Sequence, residues 1–258
     1  MKWLNEMWQY REMINGLVRR DLKGRYKGAA LGFLWTLFNP LLQLVVYTIV
    51  FSIIMPNNIE RFYLFLFVAL VPWLFFSSCL CGGSMVIFTQ QDMVKKIYFP
   101  RQVLPISFVI AQFINMLLSF IVIFFVVLIS GIGFNFKAIL YLPIVLIVHF
   151  ILCLGVTFIT SALTVYFRDL EYILSIISMA WMYMTPIIYS VEQVPERYRG
   201  LYYCNPMTSI IVAYRDILYY KSIPELETLA VAGGLGGIIL IVGIIVFECL
   251  QKRFVEEL

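Results

Sequence analysis

Six long stretches without a single Asp, Glu, Lys or Arg dominate this chain and limit what it can fold into. They cover residues 28–59, 62–91, 102–136, 138–167, 172–191 and 228–247. Each holds at least the ~20 residues that cross about 30 Å of hydrocarbon as a helix. Hydrophobic residues make up 62% of the chain, whereas an ordinary soluble domain is about half apolar. The sequence therefore predicts an all-α integral membrane protein, with six transmembrane helices in a single domain, residues 1–258.

The distribution of lysine and arginine predicts the orientation of these helices. If the N-terminus lies inside the cell, 13 of the 19 basic residues fall on the inner side and 6 on the outer side. Cytoplasmic loops of membrane proteins carry such an excess of positive charge. We therefore expect both termini to be cytoplasmic.

A short charged segment, residues 91–101, separates the second and third apolar stretches. Asp92 can cap a helix start and Pro100 can end the helix, which leaves about two turns between them. The helical period places apolar residues on one face and lysines on another: Met93, Val94 and Ile97 against Lys95 and Lys96. Two readings stay open from these residues alone. The segment either presents a cytoplasmic docking element to a soluble partner, or it is a basic loop that only sets orientation.

The N-terminal unit, residues 1–27, has the pattern of an amphipathic helix. Its apolar residues recur at three- and four-residue spacing: Trp3, Met7, Tyr10, Ile14 and Leu17. Its basic residues surround that stripe and include Arg19, Arg20, Lys23 and Arg25. A helix of this kind lies in the headgroup plane of a membrane or packs on a soluble partner, and the two placements are compatible.

The outer segment, residues 190–227, predicts two short helices instead of a plain loop. Pro195 can open the first and Gly200 can break it. Asn205 followed by Pro206 is a strong start signal for the second, with asparagine as the cap and proline at the first helical position. Its apolar residues follow at helical spacing: Met207, Ile210, Ile211, Tyr214 and Leu218. This helix either dips into the outer leaflet, lies across the mouth of a pathway, or only anchors the segment at the interface.

No group of residues in the sequence predicts catalysis or metal binding. His149 is the only histidine and stands alone in the fourth stretch, and the five cysteines have no metal-ligand spacing. The Gly-x-x-x-x-Gly-Lys loop that cradles nucleotide phosphates is absent, so we do not expect this chain to hydrolyse ATP by itself. Gly233 and Gly237 form a small-xxx-small pair that predicts a close helix contact in the last span.

Aromatic residues are abundant, at 17% of the chain. Within or at the ends of the apolar stretches they include Trp35, Trp73, Trp181 and Tyr189. Such residues usually form interfacial belts or pack between helices. Rings that line a pathway would also suit the C–H faces of sugars, so a role as pathway aromatics is a second possibility.

Several short motifs, in this order and spacing, resemble a known family. They are Arg25-Tyr26-Lys27, Leu31-Gly32 with Trp35, Lys95-Lys96 before Phe99-Pro100-Arg101, Phe167-Arg168-Asp169-Leu170, Thr185-Pro186-Ile187-Ile188-Tyr189 and Asn205-Pro206-Met207. Together they resemble the membrane permease of ABC exporters for O-antigen or capsular polysaccharide and wall teichoic acid. The resemblance extends over essentially the whole chain.

The resemblance implies a transport subunit of the bacterial cytoplasmic membrane and not an enzyme. Two copies would form a homodimer around the pathway, and two copies of a separate ABC ATPase would dock on the cytoplasmic side. ATP and Mg would bind to that ATPase, so no cofactor or metal is expected in this chain. The cargo would be a polymer on an undecaprenyl lipid, and no nucleic-acid partner is expected.

The resemblance also assigns roles to individual residues. Coupling to the ATPase would fall to Asp92, Met93, Val94, Lys95, Lys96, Ile97, Tyr98, Phe99 and Arg101. The N-terminal interface helix beside them would use Arg19, Arg20, Lys23, Arg25 and Tyr26. The external gate would contain Asn205, Pro206, Met207, Ile211 and Tyr214.

Two alternative functions remain to be weighed against export of a polymer. A drug or small-lipid exporter of the same superfamily would differ only in cargo, and the gate segment favours the polymer. A membrane prenyl or phosphosugar transferase would need clustered acidic and basic residues at one membrane face. The acidic residues here are dispersed, so the transferase is the weaker alternative.

Overall fold

The computed structural model describes residues 8–24, 34–50, 59–131 and 133–258. Within these ranges the regular secondary structure is entirely helical, as predicted. The α-helices are α1 (Arg11–Gly24), α2 (Trp35–Thr48), α3 (Phe62–Ser77), α4 (Val86–Thr89), α5 (Gln91–Lys96), α6 (Val103–Ile129), α7 (Phe136–Ile139), α8 (Leu142–Tyr166), α9 (Leu170–Tyr183), α10 (Glu196–Tyr203), α11 (Pro206–Arg215), α12 (Leu226–Leu250) and α13 (Phe254–Glu257).

Four helical segments within the described ranges are long and apolar enough to cross a membrane. They are Phe62–Gly82, Val103–Ile129, Phe136–Tyr166 and Leu226–Glu257. These segments correspond to the second, third, fourth and sixth apolar stretches of the sequence. The first of them extends α3 through a π-helical turn, Ser78–Gly82.

The other two apolar stretches give shorter helices. Helix α2 has 14 residues, and the chain on both sides of it, at 25–33 and 51–58, lies outside the described residues. Helix α9 also has 14 residues, about 21 Å of helix. It ends before Pro186 because proline disfavours helical geometry in the residue that precedes it. Residues 184–190 of the fifth stretch are therefore not helical, and the count of six spans remains a prediction.

Helix α3 forms the centre of the molecule. Its residues are apolar on every side, and nearly all of them are buried. A helix that is apolar all round has to be enclosed by other elements. Helices α2, α6 and α11 pack around it.

Helices α8 and α12 run parallel and approach closely through two glycines. A Cβ atom on Gly155 would lie 2.6 Å from the backbone nitrogen of Leu240, and one on Gly243 would lie 2.5 Å from the Gly155 carbonyl oxygen. By contrast, a Cβ on Gly237 would meet no described atom within 4 Å, and one on Gly233 would make only ordinary contact with Val148. The close contact predicted at Gly233 and Gly237 therefore lies at Gly155 and Gly243 instead.

The parallel course of α8 and α12 brings their C-terminal ends together at one end of the bundle. A hydrophobic cluster distinct from the core around α3 forms there. It joins α4, α5, the start of α6, the ends of α8 and α12, and α13: Val86, Ile87, Val94, Phe99, Val103, Leu104, Phe158, Ala162, Val165, Phe247 and Phe254. Helix α1 packs against the same cluster through Tyr10, Met13, Ile14 and Leu17. Both described ends of the chain therefore lie beside the charged segment 91–101.

Candidate coupling surface

The charged segment forms the short helix α5 followed by an extended turn. The helix begins after Gln90, so Asp92 lies in its first turn and is not its cap. It ends at Lys96, before Pro100 can act, because Ile97 already has extended backbone angles (φ −125°, ψ 135°). Lys96 and Asp92 form an exposed i,i+4 ion pair at 3.6 Å. A negative side chain near the start of a helix and a positive one near its end both stabilise the helix by interacting with its dipole.

The predicted apolar face of α5 is only partly correct. Val94 is buried and Met93 is half-buried, as an inward face requires. Ile97 lies beyond the helix end and is exposed, while Phe99 turns back into the hydrophobic cluster. Tyr98 is 99% exposed. The segment is therefore anchored by Val94 and Phe99, and it presents Ile97 and Tyr98 to the solvent beside the two lysines.

A groove of about 850 Å³ lies directly beside this segment. One side is formed by residues 94–102, a second by Gln9 and Tyr10 ahead of α1, and a third by Gln251, Lys252 and Val255 after α12. Its rim is therefore polar and basic, with an exposed tyrosine. This composition suits docking of a soluble partner better than burial in lipid.

The residues after α12 stabilise the extended turn 97–101 through contacts with Arg101. The Arg101 guanidinium donates a hydrogen bond to the Gln251 carbonyl and lies 5.9 Å from the centre of the Phe254 ring. The Tyr166 hydroxyl donates to the Leu250 carbonyl at 2.8 Å. Partial burial lowers the pKa of Arg101. Sequence reasoning missed Gln251 and Phe254, because only the folded chain brings residue 101 next to the C-terminus.

Helix α1, the predicted interface helix, packs on the cluster that also holds Val94 and Phe99. Arg19, Arg20 and Lys23 are exposed on α1, while Val18 is buried. Arg20 also lines a cavity of about 330 Å³ between α1 and the segment that leads into α5. Arg25 and Tyr26 lie outside the described residues.

Arg168, in the motif Phe167-Arg168-Asp169-Leu170, contacts α4, the short helix that precedes α5. The Arg168 guanidinium lies 5.0 Å from the centre of the Phe88 ring on α4. Among the described residues, Arg168, Asp169 and Glu171 make no ion pair with one another. The contact therefore links the turn after α8 to α4, close to the charged segment 91–101, through a cation–π interaction.

At the opposite end, the Asn205-Pro206 start signal is confirmed. The Asn205 side-chain oxygen accepts a hydrogen bond from the Met207 backbone N–H at 3.1 Å, and Pro206 occupies the first turn of α11. The same oxygen accepts from the Trp181 indole at 3.0 Å, and the Asn205 amide donates to the Thr185 hydroxyl at 3.0 Å. The cap therefore also ties α11 to the end of α9. The break predicted at Gly200 is wrong, because α10 runs through it to Tyr203.

The residues predicted for the gate are packed inside the subunit. Pro206, Met207, Ile211 and Tyr214 are buried. Tyr214 lies 5.4 Å from the Phe120 ring, and its hydroxyl is 3.4 Å from the His149 ring nitrogen Nδ1. A gate at this place would therefore act through movement of α11 as a whole, and not through side chains that face a pathway.

Arg215 is a structural residue that the sequence did not reveal. It was counted among the outer basic residues, yet only 2% of its surface is exposed. Its guanidinium donates to the carbonyl of Phe65 at 3.2 Å, to that of Tyr189 at 3.2 Å, and to those of Pro186 and Ile187. Its Cζ atom also lies 3.5 Å from the centre of the Phe65 ring. The Arg215 side chain thus supplies hydrogen-bond donors to the carbonyl groups of the non-helical residues after α9, and it links these residues to α3.

Asp216, the next residue, lies outside the candidate spans. Burial, and to a smaller extent the nearby Glu225, raise the pKa of its carboxyl from 3.8 to about 6, while Arg215 opposes the shift. The sequence alone does not indicate this raised pKa.

The predicted pathway aromatics do not share one surface. Trp73 is buried and packs at 5.4 Å on Phe76, which in turn lies 5.0 Å from Trp181. The Tyr189 hydroxyl donates to the Tyr183 carbonyl at 2.7 Å. Trp35 lies at the start of the separate helix α2. Trp73 and Trp181 therefore pack in the core of the subunit, and a role in a pathway stays a prediction.

Comparison with known proteins gives one consistent family. A family model described as ABC-2 type transporter matches residues 13–219. An O-antigen export system permease protein RfbA of Myxococcus xanthus is 34% identical over the full length of both chains. Its namesake in Klebsiella pneumoniae is 32% identical over 94% of this chain and 93% of its own. The polysialic acid transport protein KpsM of Escherichia coli is 22% identical over 82% of this chain and 83% of its own. The resemblance found in the motifs is thus confirmed, and the chain belongs to the ABC-2 type transporter family of membrane proteins.

Proposed function

We propose that this chain is the membrane subunit of an ATP-driven exporter in a bacterial cytoplasmic membrane. Its cargo is an undecaprenyl-linked polysaccharide or teichoic acid, which moves from the inner to the outer face. The observation that carries the proposal is the groove at the coupling end, where an exposed Tyr98 and Lys95 stand on a segment anchored in the hydrophobic core. The names of the RfbA and KpsM relatives supply the class of cargo.

The energy source in this proposal is a separate ATPase subunit, present in two copies, that binds ATP and Mg. The groove supports such docking because its three sides come from distant parts of the chain. A partner that seats there would contact α1, the 91–101 segment and the C-terminus together. Movement of the partner would reach α8 and α12 through the shared hydrophobic cluster.

A homodimer completes the proposed pathway. The support comes from two apolar helix faces that this subunit leaves uncovered, Leu42, Val45 and Val46 on α2 and Ile173, Ile176 and Met179 on α9. Both helices are shorter in the described residues than the four long spans. Six spans per subunit, with both termini cytoplasmic, fit the charge distribution of the sequence.

Export from reconstituted vesicles tests the proposal. The chain and its ATPase partner are incorporated into liposomes together with lipid-linked polymer extracted from host cells that lack this chain. Addition of ATP should transfer the polymer across the bilayer, measured as loss of access for an impermeant glycosidase added outside to inside-out vesicles. Vesicles without the ATPase serve as the control. ATP-dependent movement of a labelled drug or short lipid, with no movement of the polymer, would favour the alternative exporter.

A further inference from the structure

A small cavity among the apolar helices has several uncharged polar side chains in its lining. It has a volume of about 230 Å³ and lies between α2, α3 and α6. Its polar lining comes from α2, from the π-helical turn that extends α3, and from α6: Asn39, Gln43, Ser78, Gln112, Asn115 and Ser119. The spacings of i,i+4 on α2 and of i,i+3 and i,i+7 on α6 place these residues on the facing sides of the helices.

Two amides in this cavity lack partners. Within the described part of the chain, the Gln43 oxygen Oε1 and both polar side-chain atoms of Asn115 are buried without a hydrogen bond. Gln112, which is only 6% exposed, lines the same cavity. A buried amide without a partner destabilises a fold, all the more in a membrane. The unpartnered amides of Gln43 and Asn115 therefore indicate a ligand that supplies their hydrogen bonds.

The lining also indicates the chemistry of that ligand. No Asp, Glu, Lys, Arg or His is among the lining residues, so nothing there selects a phosphate or another ion. Each amide group offers both donors and an acceptor. Hydroxyl groups, which also donate and accept, are the complementary partners, and the apolar part of the lining, including Leu74 and Phe75, suits the C–H face of a sugar ring.

We propose that this cavity is a binding site for the sugar hydroxyls of the exported polymer. The inference rests on the proposed function and adds a location for cargo contact, formed by α2, α3 and α6. It differs from the aromatic pathway considered from the sequence, because neutral amides supply the recognition. Undecaprenyl phosphate without a glycan is not a ligand of this site.

Photo-crosslinking tests the site directly, since it reports contact without relying on a rate. Leu74 lines the cavity, whereas Leu117 on α6 does not, and both side chains are 38% exposed. A photoreactive p-benzoyl-phenylalanine is placed at one or the other in the complete complex with its ATPase. The probe is the lipid-linked polymer from cells that lack this chain. A second arm uses the same polymer after acid removal of the lipid, and a third uses undecaprenyl phosphate alone.

We expect the Leu74 position to capture both glycan probes at least about fivefold more than the Leu117 position, since a single net hydrogen bond raises binding about fivefold. We expect no capture of undecaprenyl phosphate at the Leu74 position. Equal or absent capture at the two positions, in a complex that exports, would overturn the inference and leave the proposed function standing. A complex that shows no ATP-dependent export would overturn the proposed function, and this inference with it.

Two substitutions give a readout that a purely structural role would not produce. Gln112→Leu and Asn115→Leu each remove a buried amide and keep most of its volume. If the amides serve the cargo, each substitution raises the polymer concentration for half-maximal export by about fivefold, while thermal stability is unchanged or higher. A fall in thermal stability with an unchanged export concentration would show a structural role instead and contradict the inference.

Discussion

Replacement of Arg215 should unlock the chain segment that follows α9. Arg215 donates to four backbone carbonyls, three of which belong to the non-helical residues 186–189. Within the described residues, the Pro186 and Ile187 carbonyls accept from no other donor. Arg215→Met removes all these bonds and keeps the apolar stem, so the loss is in hydrogen bonding and charge and not in packing.

The size of the effect follows from the number of acceptors left behind. Each buried carbonyl without a donor costs about 1–3 kcal/mol, and loss of one side of a buried charged arrangement costs about 3–5 kcal/mol in total. We expect a loss near the upper end, about 4 kcal/mol, because water can reach few of these carbonyls. For a chain of this length that corresponds to a fall in Tm of roughly 10 °C.

The assay is thermal unfolding of the detergent-solubilised subunit, followed by fluorescence-detected size exclusion. Arg197→Met is the matched control, because Arg197 is exposed in the same segment, 190–227, and among the described residues its guanidinium contacts only the neighbouring Tyr198. Arg215→Lys should recover only part of the loss, since an ammonium lacks the planar fork that reaches several carbonyls. If Arg215→Met melts together with Arg197→Met, the buried guanidinium does not hold the segment, and the reasoning fails.

Three further predictions concern packing, coupling and pH. Gly155→Ala should lower thermal stability by about 1–3 kcal/mol, because the added Cβ meets the α12 backbone, whereas Gly237→Ala should leave it unchanged; equal Tm values for the two variants would contradict the close contact. Tyr98→Ala should weaken binding of the ATPase subunit about 30-fold and leave Tm unaltered, because loss of a central interface tyrosine costs about 2 kcal/mol of binding free energy. An unchanged affinity in a titration would show that Tyr98 does not belong to the docking surface. The pKa of the Asp216 carboxyl is raised from 3.8 to about 6, mainly by burial, so ionisation of this group opposes folding. The free energy of unfolding should therefore fall as pH rises from about 4 to about 6 and level off above that. Asp216→Asn should flatten this part of the profile, and a wild-type slope in that variant would show that other groups cause the pH dependence.

The elements that local patterns predicted well are those whose sequence alone specifies their structure. The stripe of Tyr10, Ile14 and Leu17 gave an amphipathic helix with that face against the core. The Asn205-Pro206 pair gave a capped helix start, since a cap depends on residues within one turn. The four long apolar stretches gave helices long enough to span.

Other features depended on contacts between distant parts of the chain and could not be predicted. Arg215 has the composition of a loop cation, and only the unwound residues 186–189 explain its burial. The spacing of Gly233 and Gly237 suggested a contact face, but the neighbouring helix approaches at Gly155 and Gly243. A small-residue pattern shows where a helix could approach and does not show which partner is present.

The candidate site shows the same division. The charged segment predicted a short surface helix with an apolar and a basic face. Buried Val94 and exposed Lys95 and Lys96 agree with this prediction, whereas exposed Ile97 does not. Its length was overestimated, because the chain becomes extended at Ile97 before Pro100. The contacts of Arg101 with Gln251 and Phe254 could not be predicted, since they join segments about 150 positions apart in the sequence.

The central claim is that a separate ATPase drives this subunit through its cytoplasmic groove, and crosslinking from a single tyrosine tests it most directly. A photoreactive residue replaces Tyr98, and in a second variant it replaces Tyr198, which is 46% exposed in the external segment. In the complex in intact cells, the Tyr98 position should crosslink to the ATPase, and the Tyr198 position should not. Capture of the ATPase from position 198, or its absence from position 98 in a complex that exports, would contradict the account.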